Sequence, residues 1–207
     1  MSRRQQERAT PSDSAFYDDL DDSLAEAWRL LEEGVTDRHS PCHTPSLGTL
    51  DAEGLPTVRT VVLRAVEQEV RLLRFHTDLR SHKVAEIAVQ PTVALHAYHA
   101  GRKIQLRLIG QARVHHGDEV ARDAWQASRS FSRLCYGVEP GPGAAIEAPW
   151  DWRQGEDGSV EAESFQNFGA VLVKVESLEW LYLAARGHRR ALYDWRGGAL
   201  RKSWLVP

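Results

Sequence analysis

The chain has few cysteines and no long apolar run. Its 207 residues include only two cysteines, Cys42 and Cys135, which are too few for a disulfide framework. No stretch approaches the roughly 18 consecutive apolar residues that a membrane-spanning helix needs. The charged residues 1–8 are not followed by an apolar segment of the kind found in secretory signals. We therefore expect a cytoplasmic protein with free thiols.

An excess of charge of either sign is also missing. The net charge of −3 argues against a general nucleic-acid-binding surface. No glycine-rich loop joins a predicted strand to a predicted helix, so the nucleotide-binding signature of α/β folds is absent. The length suits one domain with a substantial core. We predict a single domain over residues 1–207, with a loose N-terminus over residues 1–13 and a long loop over residues 137–163.

Hydrophobic patterns predict many strands and a few helices. The predicted strands cover residues 44–50, 56–64, 72–77, 92–98, 102–114, 169–182, 188–195 and 199–205. Helices are predicted around a capping box at residues 23–26, after a Ser81 N-cap, and over residues 118–129. Such a chain is a mainly β protein with helices, of the α+β class, arranged as an antiparallel β-barrel or sandwich.

The stretch from residue 59 to residue 83 contains the parts of a phosphate site. Two predicted strands are followed by a helix whose first turn would offer free N–H groups and the positive end of its dipole. Hydroxyl and cationic side chains lie on the same segments and could donate to a phosphate: Arg59, Arg64, Thr77, Ser81, His82 and Lys83. The same pattern also suits a plain hairpin and a capped helix with surface cations.

Two other features carry weaker signals. His39, Cys42 and His43 lie close together in a predicted loop, but a zinc site usually needs four ligands and no second cluster follows. We therefore predict no metal site. Alternation in the strand over residues 102–114 turns Gln105 away from the apolar face of Ile104, into solvent or into a ligand cleft.

Two motifs resemble a known family. The first is Arg59-Thr-Val-Val-Leu-Arg64, and the second is the spacing of Trp180, Arg186, His188 and Arg190. Over roughly residues 45–207 the chain resembles the pyridoxamine 5′-phosphate oxidase family, flavoproteins built on an FMN-binding split β-barrel. The resemblance implies an antiparallel split barrel, FMN as cofactor, and a homodimer with FMN at its interface.

The resemblance also implies residue roles. It assigns FMN contacts to Arg59, Thr60, Val61, Val62, Leu63, Arg64, His76, Thr77, Ser81, His82, Lys83, Gln105, Trp180 and Arg190. It assigns substrate contacts to Arg64, Trp125, Arg129, Arg186 and His188. Arg186 and His188 would be the catalytic pair, and Trp180 and Arg190 would serve a flavin bound mainly by the partner chain.

The chain departs from the family pattern at two of these positions. Arg64 stands where the oxidases usually have lysine, and Trp125 stands where they usually have tyrosine. An arginine and a lysine do not bind phosphate with the same geometry. Three functions therefore stay open. They are oxidation of pyridoxamine or pyridoxine 5′-phosphate, an FMN-dependent reductase or oxidase reaction on another small molecule, and a non-catalytic module that holds flavin or haem. A haem would need an axial ligand such as His76, His82, His96 or His99.

Overall fold

The computed structural model describes residues 16–148, 164–185 and 187–207, so Arg186 and most of the predicted loop 137–163 lie outside the described residues. The helices are α1 (Leu20–Thr36), α2 (His82–Val89), α3 (Glu119–Gln126) and α4 (Ser130–Arg133). The strands are β1 (Ser46–Leu50), β2 (Pro56–Thr60), β3 (Leu63–Glu67), β4 (Leu72–Asp78), β5 (Thr92–His99), β6 (Ile104–His115), β7 (Phe168–Tyr182), β8 (Arg189–Asp194) and β9 (Arg201–Leu205). Short 3-10 helices cover Phe16–Asp18, Pro41–His43 and Leu134–Gly137.

These nine strands form one antiparallel sheet that branches along β7. The main order is β2-β1-β5-β6-β7-β4-β3, and β8 and β9 extend from β7. Along one edge of β7, residues 168–174 pair with β4 and residues 177–182 pair with β8, while β6 pairs with the opposite edge. The prediction of a mainly antiparallel fold with helices is confirmed. No helix in the described ranges is both long and apolar enough to span a membrane.

The predicted strand 56–64 is in fact two strands. β2 pairs with β1 and β3 pairs with β4, and between them the N–H of Val61 donates to the carbonyl of Pro45 at 3.0 Å. The pairing of β3 also shifts by one residue between Leu63 and Ala65, which marks a β-bulge. Arg59 and Arg64 therefore lie on different strands.

The first helix begins earlier than the predicted capping box. Its N-cap is Asp19, whose carboxylate accepts the N–H groups of Asp21 and Asp22 at 2.7 and 3.0 Å. Ser23 is instead buried inside the first turns of α1. The apolar stripe of α1 buries Trp28 and Leu31 against the sheet.

Most of the buried side chains form one cluster between α1 and the inner face of the sheet. Its members include Trp28, Phe75, Leu95, Leu106, Trp180, Tyr193 and Trp195. A smaller cluster lies on the other face of β7, where Ala121, Ala124 and Trp125 of α3 pack on Phe168 and Ala170. The sheet therefore carries packed side chains on both faces near the start of β7.

A buried hydroxyl pair fixes the start of α1 to β8. The Tyr193 hydroxyl lies 2.6 Å from Ser23 Oγ and donates to the carbonyl of Leu20 at 2.8 Å. Tyr193→Phe removes both contacts, and we expect the free energy of unfolding to fall by about 1–2 kcal/mol. Urea denaturation checks this, with Tyr98→Phe at an exposed position of β5 as the control. Equal losses in the two variants would contradict the structural role of the pair.

Candidate functional site

A cluster of hydroxyls and a lysine lies where β4 meets α2. Lys83 Nζ donates to Ser81 Oγ at 2.9 Å and to Thr77 Oγ1 at 3.2 Å, and the two hydroxyl oxygens are 3.0 Å apart. Ser81 holds the predicted N-cap position, but its hydroxyl donates to the carbonyl of Asp78 at 2.6 Å and makes no cap hydrogen bond. The first N–H groups of α2 therefore have no side-chain acceptor in the described part of the chain.

Arg59 reaches the same helix from β2. Its Nη2 lies 2.7 Å from Glu86 Oε2 and donates to Thr57 Oγ1 at 2.8 Å, and its Nη1 donates to Thr49 Oγ1. Glu86 is buried and also accepts from Thr49 and Thr57. Burial raises the pKa of Glu86, but the hydrogen bonds from Thr49 and Arg59 outweigh it and hold the pKa below its usual range.

Arg59 acts on the charge state of the neighbouring Lys83. Burial and the charge of Arg59 lower the pKa of Lys83. Arg59 and Lys83 therefore share one partly buried space in which Glu86 is the hydrogen-bonded carboxylate. We call Arg59, Thr77, Ser81 and Lys83 the Lys83 cluster. The donors here are two cations, two hydroxyls and an uncapped helix N-terminus, and this set fits a phosphate dianion. The carboxylate of Glu86 lies beside them.

A second site is a cavity of about 430 Å³ on the opposite face of β4. It lies between the end of α1, the strands β3 and β4, and the segment from α3 to α4. Its lining has four arginines and no aspartate or glutamate among the described residues: Val35, Thr36, Arg38, His43, Val62, Arg64, Arg74, His76, Ala124, Ala127, Ser128, Arg129 and Ser132. We call this space the arginine cavity.

The bulge in β3 explains why Arg64 reaches the arginine cavity. Leu63 faces Phe75 in the core, and Ala65 is the residue that pairs with Arg74. Arg64 is the extra residue of the bulge, and such residues are re-aimed relative to regular alternation. The structure therefore places the two arginines of the Arg59–Arg64 motif in two different sites.

His76 is separated from its neighbour Thr77 by the alternation of β4. Thr77 joins the Lys83 cluster, whereas His76 lines the arginine cavity, with Nδ1 3.5 Å from Ser128 Oγ. Its Nε2 is buried and has no hydrogen-bond partner in the described ranges. Burial, together with the charges of Arg74 and Arg64, lowers the pKa of His76 to about 3. The imidazole is therefore neutral at pH 7.

The neutral state of His76 predicts a pH dependence of stability. The unfolded chain takes up this proton near pH 6.5, but the folded chain does so only near pH 3. The free energy of unfolding should therefore fall as the pH drops from 6.5 towards 3, by up to about 1.4 kcal/mol per pH unit from this residue. Urea denaturation at pH 7 and pH 5 should show a smaller difference for His76→Gln than for the exposed control His116→Gln. An unchanged difference would contradict the burial of a neutral His76.

The structure buries two tryptophans of the predicted site. Trp125 does not line the arginine cavity, because it packs against Phe165 and Phe168 at ring-centroid distances of 5.5 and 5.1 Å. Trp180 has no exposed surface and its indole N–H is buried without a partner among the described residues. The substrate contact of Trp125 and the flavin contact of Trp180 both stay predictions.

The remaining predicted site residues are spread over other surfaces. Gln105 and Arg190 share the outward face of the sheet, since both pair with Leu181, and Arg190 Nη2 lies 2.9 Å from Glu179 Oε2. His188 is exposed just before β8. The other placements are as follows: Thr60 and His82 are exposed, Val61 and Leu63 are in the core, Val62 and Arg129 line the arginine cavity, and Arg186 is outside the described residues.

Several site residues have no counterpart in the sequence predictions. Thr49, Thr57 and Glu86 support Arg59, and Arg38 and Arg74 line the arginine cavity. Only Glu86 left a signal in the sequence, as the one charged residue among the apolar positions 84–89 of the predicted helix.

Two of the three side chains that were considered as metal ligands, Cys42 and His43, are engaged in the fold. Cys42 is buried, which raises the pKa of its thiol to about 11, and His43 Nδ1 donates to the carbonyl of Gly34 at 2.6 Å. Across the described residues, no group of three or more His, Cys, Asp or Glu side chains could hold a metal ion. Both cysteines are free thiols.

Comparison with known proteins relates the chain to one family. Residues 25–116 match the sequence model of the FMN-binding domain of pyridoxamine 5′-phosphate oxidase. The pyridoxine/pyridoxamine 5′-phosphate oxidase of Alcanivorax borkumensis is 28% identical over 197 residues, which are 90% of this chain and 91% of that protein. The chain is similar in sequence to the pyridoxamine 5′-phosphate oxidases. The resemblance seen in the sequence is confirmed.

Other relatives define how far the likeness extends. The Cereibacter sphaeroides oxidase of the same name is 35% identical over 115 residues, and the alignment spans 55% of this chain and only 56% of that protein. Among solved structures, an FMN-binding protein related to pyridoxamine 5′-phosphate oxidase from Nostoc punctiforme has a TM-score of 0.71 at 24% identity, covering 88% of this chain and 96% of its own. PhzG from Burkholderia lata has a TM-score of 0.68 at 18% identity, and the match covers 93% of this chain and 96% of PhzG. These structures share the fold, and the predicted split-barrel class is confirmed.

The family match covers one of the two sites and part of the other. Residues 25–116 include the whole Lys83 cluster, Gln105 and the cavity residues Arg38, Arg64 and Arg74. Arg129, Trp180 and Arg190 lie outside the matched residues. The family relationship supports an FMN-binding, oxidoreductase-like protein, and the Lys83 cluster has the donors that the phosphate of FMN requires.

Proposed function

We propose that this chain is an FMN-dependent oxidoreductase that acts on a small phosphorylated substrate. The observation that carries the proposal is the separation of two cationic sites by the strand β4. The Lys83 cluster lies on one face and the arginine cavity on the other. Two phosphate-bearing molecules can therefore be bound next to each other without competing for the same donors.

The Lys83 cluster would hold the phosphate of FMN. Lys83 and Arg59 supply charge-assisted donors, and the hydroxyls of Ser81 and Thr77 can rotate to donate as well. Glu86 fixes the Arg59 guanidinium through the contact of 2.7 Å, so the donor is oriented before the phosphate arrives. The partly buried position strengthens these contacts relative to exposed ones.

The arginine cavity would hold the phosphate of the substrate. Arg64 and Arg129 would be its donors, and pyridoxamine or pyridoxine 5′-phosphate is the substrate that the family relationship supports. His76 stays neutral in this cavity and can offer one N–H donor and one acceptor. The redox chemistry, in which a hydride leaves the substrate and oxygen is the final acceptor, is what FMN supplies when bound.

We further propose that the protein works as a homodimer in which each chain acts as one domain. Arg59 shares the core-facing side of the sheet with its partner Leu47, whereas Gln105 and Arg190 lie on the outward face. One chain therefore does not bring both groups to one flavin. A second chain could supply Gln105 and Arg190, together with the Arg186 and His188 pair that would orient the substrate.

A different substrate for the same flavin site is the second candidate function. Two observations favour it. Trp125, at the position where the oxidases usually have a substrate-facing tyrosine, packs in the aromatic cluster, and the arginine cavity holds more arginines than one phosphate needs. Both candidates require FMN, and only the substrate distinguishes them.

Oxygen consumption by the FMN-loaded protein tests the proposed reaction. With pyridoxamine 5′-phosphate as substrate, we expect oxygen uptake that matches the formation of pyridoxal 5′-phosphate. A protein that binds FMN but consumes no oxygen with this substrate would favour the second candidate. A protein that binds haem, seen as a Soret band, or that binds no cofactor, would contradict both.

Substitutions of Arg190 and Arg186 should differ in their effect on the affinity for FMN. We expect Arg190→Ala to lower the affinity for FMN more than Arg186→Ala does, because Arg190 would contact the flavin and Arg186 the substrate. Fluorescence titration of FMN gives both dissociation constants. Arg186→Ala should instead reduce turnover with FMN still bound, and equal dissociation constants in the two variants would contradict the assignment.

A further inference from the structure

We infer that the arginine cavity binds a substrate with two separate anionic groups, one a phosphate and the other a carboxylate or second phosphate. This inference rests on the proposed function and narrows its substrate class. Pyridoxamine 5′-phosphate carries one phosphate and neither a carboxylate nor a second phosphate, so it would use only part of the site.

The first reason is the unbalanced charge of the cavity. Arg38, Arg64, Arg74 and Arg129 all line it, and a guanidinium stays charged at any ordinary pH. None of these four side chains makes an ion pair or a hydrogen bond within the described ranges, and no carboxylate lines the cavity there. Elsewhere in the chain, arginines are commonly paired, as Arg59, Arg80 and Arg190 are.

The second reason is the charge that one phosphate can offset. A phosphate monoester carries a charge of about −1.5 to −2 at pH 7. It therefore balances the two arginines, Arg64 and Arg129, that the proposed function assigns to it. His76 is neutral, and Arg38 and Arg74 are left without a counter-charge. A second anionic group on the substrate would supply that charge.

The third reason is where the arginines come from. Arg38 follows the end of α1, Arg64 and Arg74 stand on the adjacent strands β3 and β4, and Arg129 immediately precedes α4. The four charges therefore stand on three separate walls. A volume of about 430 Å³ is within the range of about 300–1,000 Å³ that small-molecule sites have, and exceeds what a lone phosphate fills.

Calorimetric titration with two probes tests the inference. Methyl phosphate carries one anionic group and 2-phosphoglycolate carries a phosphate and a carboxylate. The protein is saturated with FMN so that the Lys83 cluster is filled, and the titrations are repeated with Lys83→Gln without FMN. We expect 2-phosphoglycolate to bind at least tenfold more tightly than methyl phosphate in both settings.

Single substitutions then locate the second anionic group. Arg74→Gln and Arg38→Gln should each weaken 2-phosphoglycolate at least fivefold and change methyl phosphate less than twofold, whereas Arg64→Gln should weaken both probes. Arg122→Gln is the matched control, because Arg122 is exposed on α3 and does not line the cavity. Circular dichroism confirms that each variant is folded.

Two results would overturn the inference. One is equal affinity for the two probes, and the other is a loss at Arg38 and Arg74 that affects both probes alike. Failure of the proposed function gives a different pattern. The flavin would not bind, yet the preference for 2-phosphoglycolate would persist in the protein without FMN.

Discussion

Lys83→Gln should weaken FMN binding by about 10- to 100-fold. The ammonium of Lys83 donates to Ser81 and Thr77, and it would donate to the phosphate of FMN at the same place. A hydrogen bond to a charged group contributes about 1.5–3 kcal/mol, and each 1.4 kcal/mol corresponds to a factor of ten in the dissociation constant. Quenching of FMN fluorescence on binding measures the change.

Lys174→Gln is the control for this substitution. Lys174 is an exposed lysine of β7 whose ammonium contacts only the carbonyl of Val70 among the described residues. Its removal should leave the FMN dissociation constant within twofold of the original value. If Lys83→Gln and Lys174→Gln bound FMN equally well, the Lys83 cluster would not be the flavin phosphate site.

Arg64→Ala should lower kcat/KM for the phosphorylated substrate by about 100-fold while FMN stays bound. The bulge in β3 places Arg64 in the arginine cavity and away from the Lys83 cluster, so the substitution removes a charge-assisted contact to substrate only. Steady-state oxygen uptake gives kcat/KM, and the FMN titration gives the cofactor affinity of the same variant.

Arg64→Lys separates charge from geometry at this position. A lysine keeps the positive charge but offers a point donor in place of the planar fork of arginine. We expect this variant to recover part of the lost kcat/KM with pyridoxamine 5′-phosphate. A loss of FMN affinity in Arg64→Ala comparable to that of Lys83→Gln would contradict the separation of the two sites.

The sequence was sufficient for features that depend on neighbouring residues. Thr77, Ser81 and Lys83 lie within seven positions of one another, so a strand followed by a helix determines how they meet. The alternation that turns Gln105 away from the core was predictable for the same reason, because the pleat of a strand fixes the direction of every second side chain.

Features that depend on distant segments could not be predicted in this way. Glu86 meets Arg59 only because α2 packs on β1, which pairs with β2, and Arg38 joins Arg64 only because α1 packs beside β3. The bulge at Leu63 and Ala65 inserts one residue into a regular pattern, and no local signal marks it. Such contacts follow from the pairing of the whole sheet.

Trp125 has one prediction from its helical pattern and another from the resemblance. The helical spacing of Ala121, Ala124 and Trp125 predicts one buried face of α3, and the structure buries all three. The resemblance instead assigns Trp125 to the substrate. The burial predicted from the pattern is confirmed, because the apolar indole is stabilised by packing on Phe168, and the substrate contact stays a prediction.

The most direct test of the central proposal is an equilibrium titration of the purified chain with FMN. We predict saturable binding of one FMN per chain, with a visible spectrum that persists after gel filtration and a dissociation constant that rises in Lys83→Gln. A chain that leaves FMN fluorescence unchanged at every protein concentration would show that the Lys83 cluster does not hold a flavin.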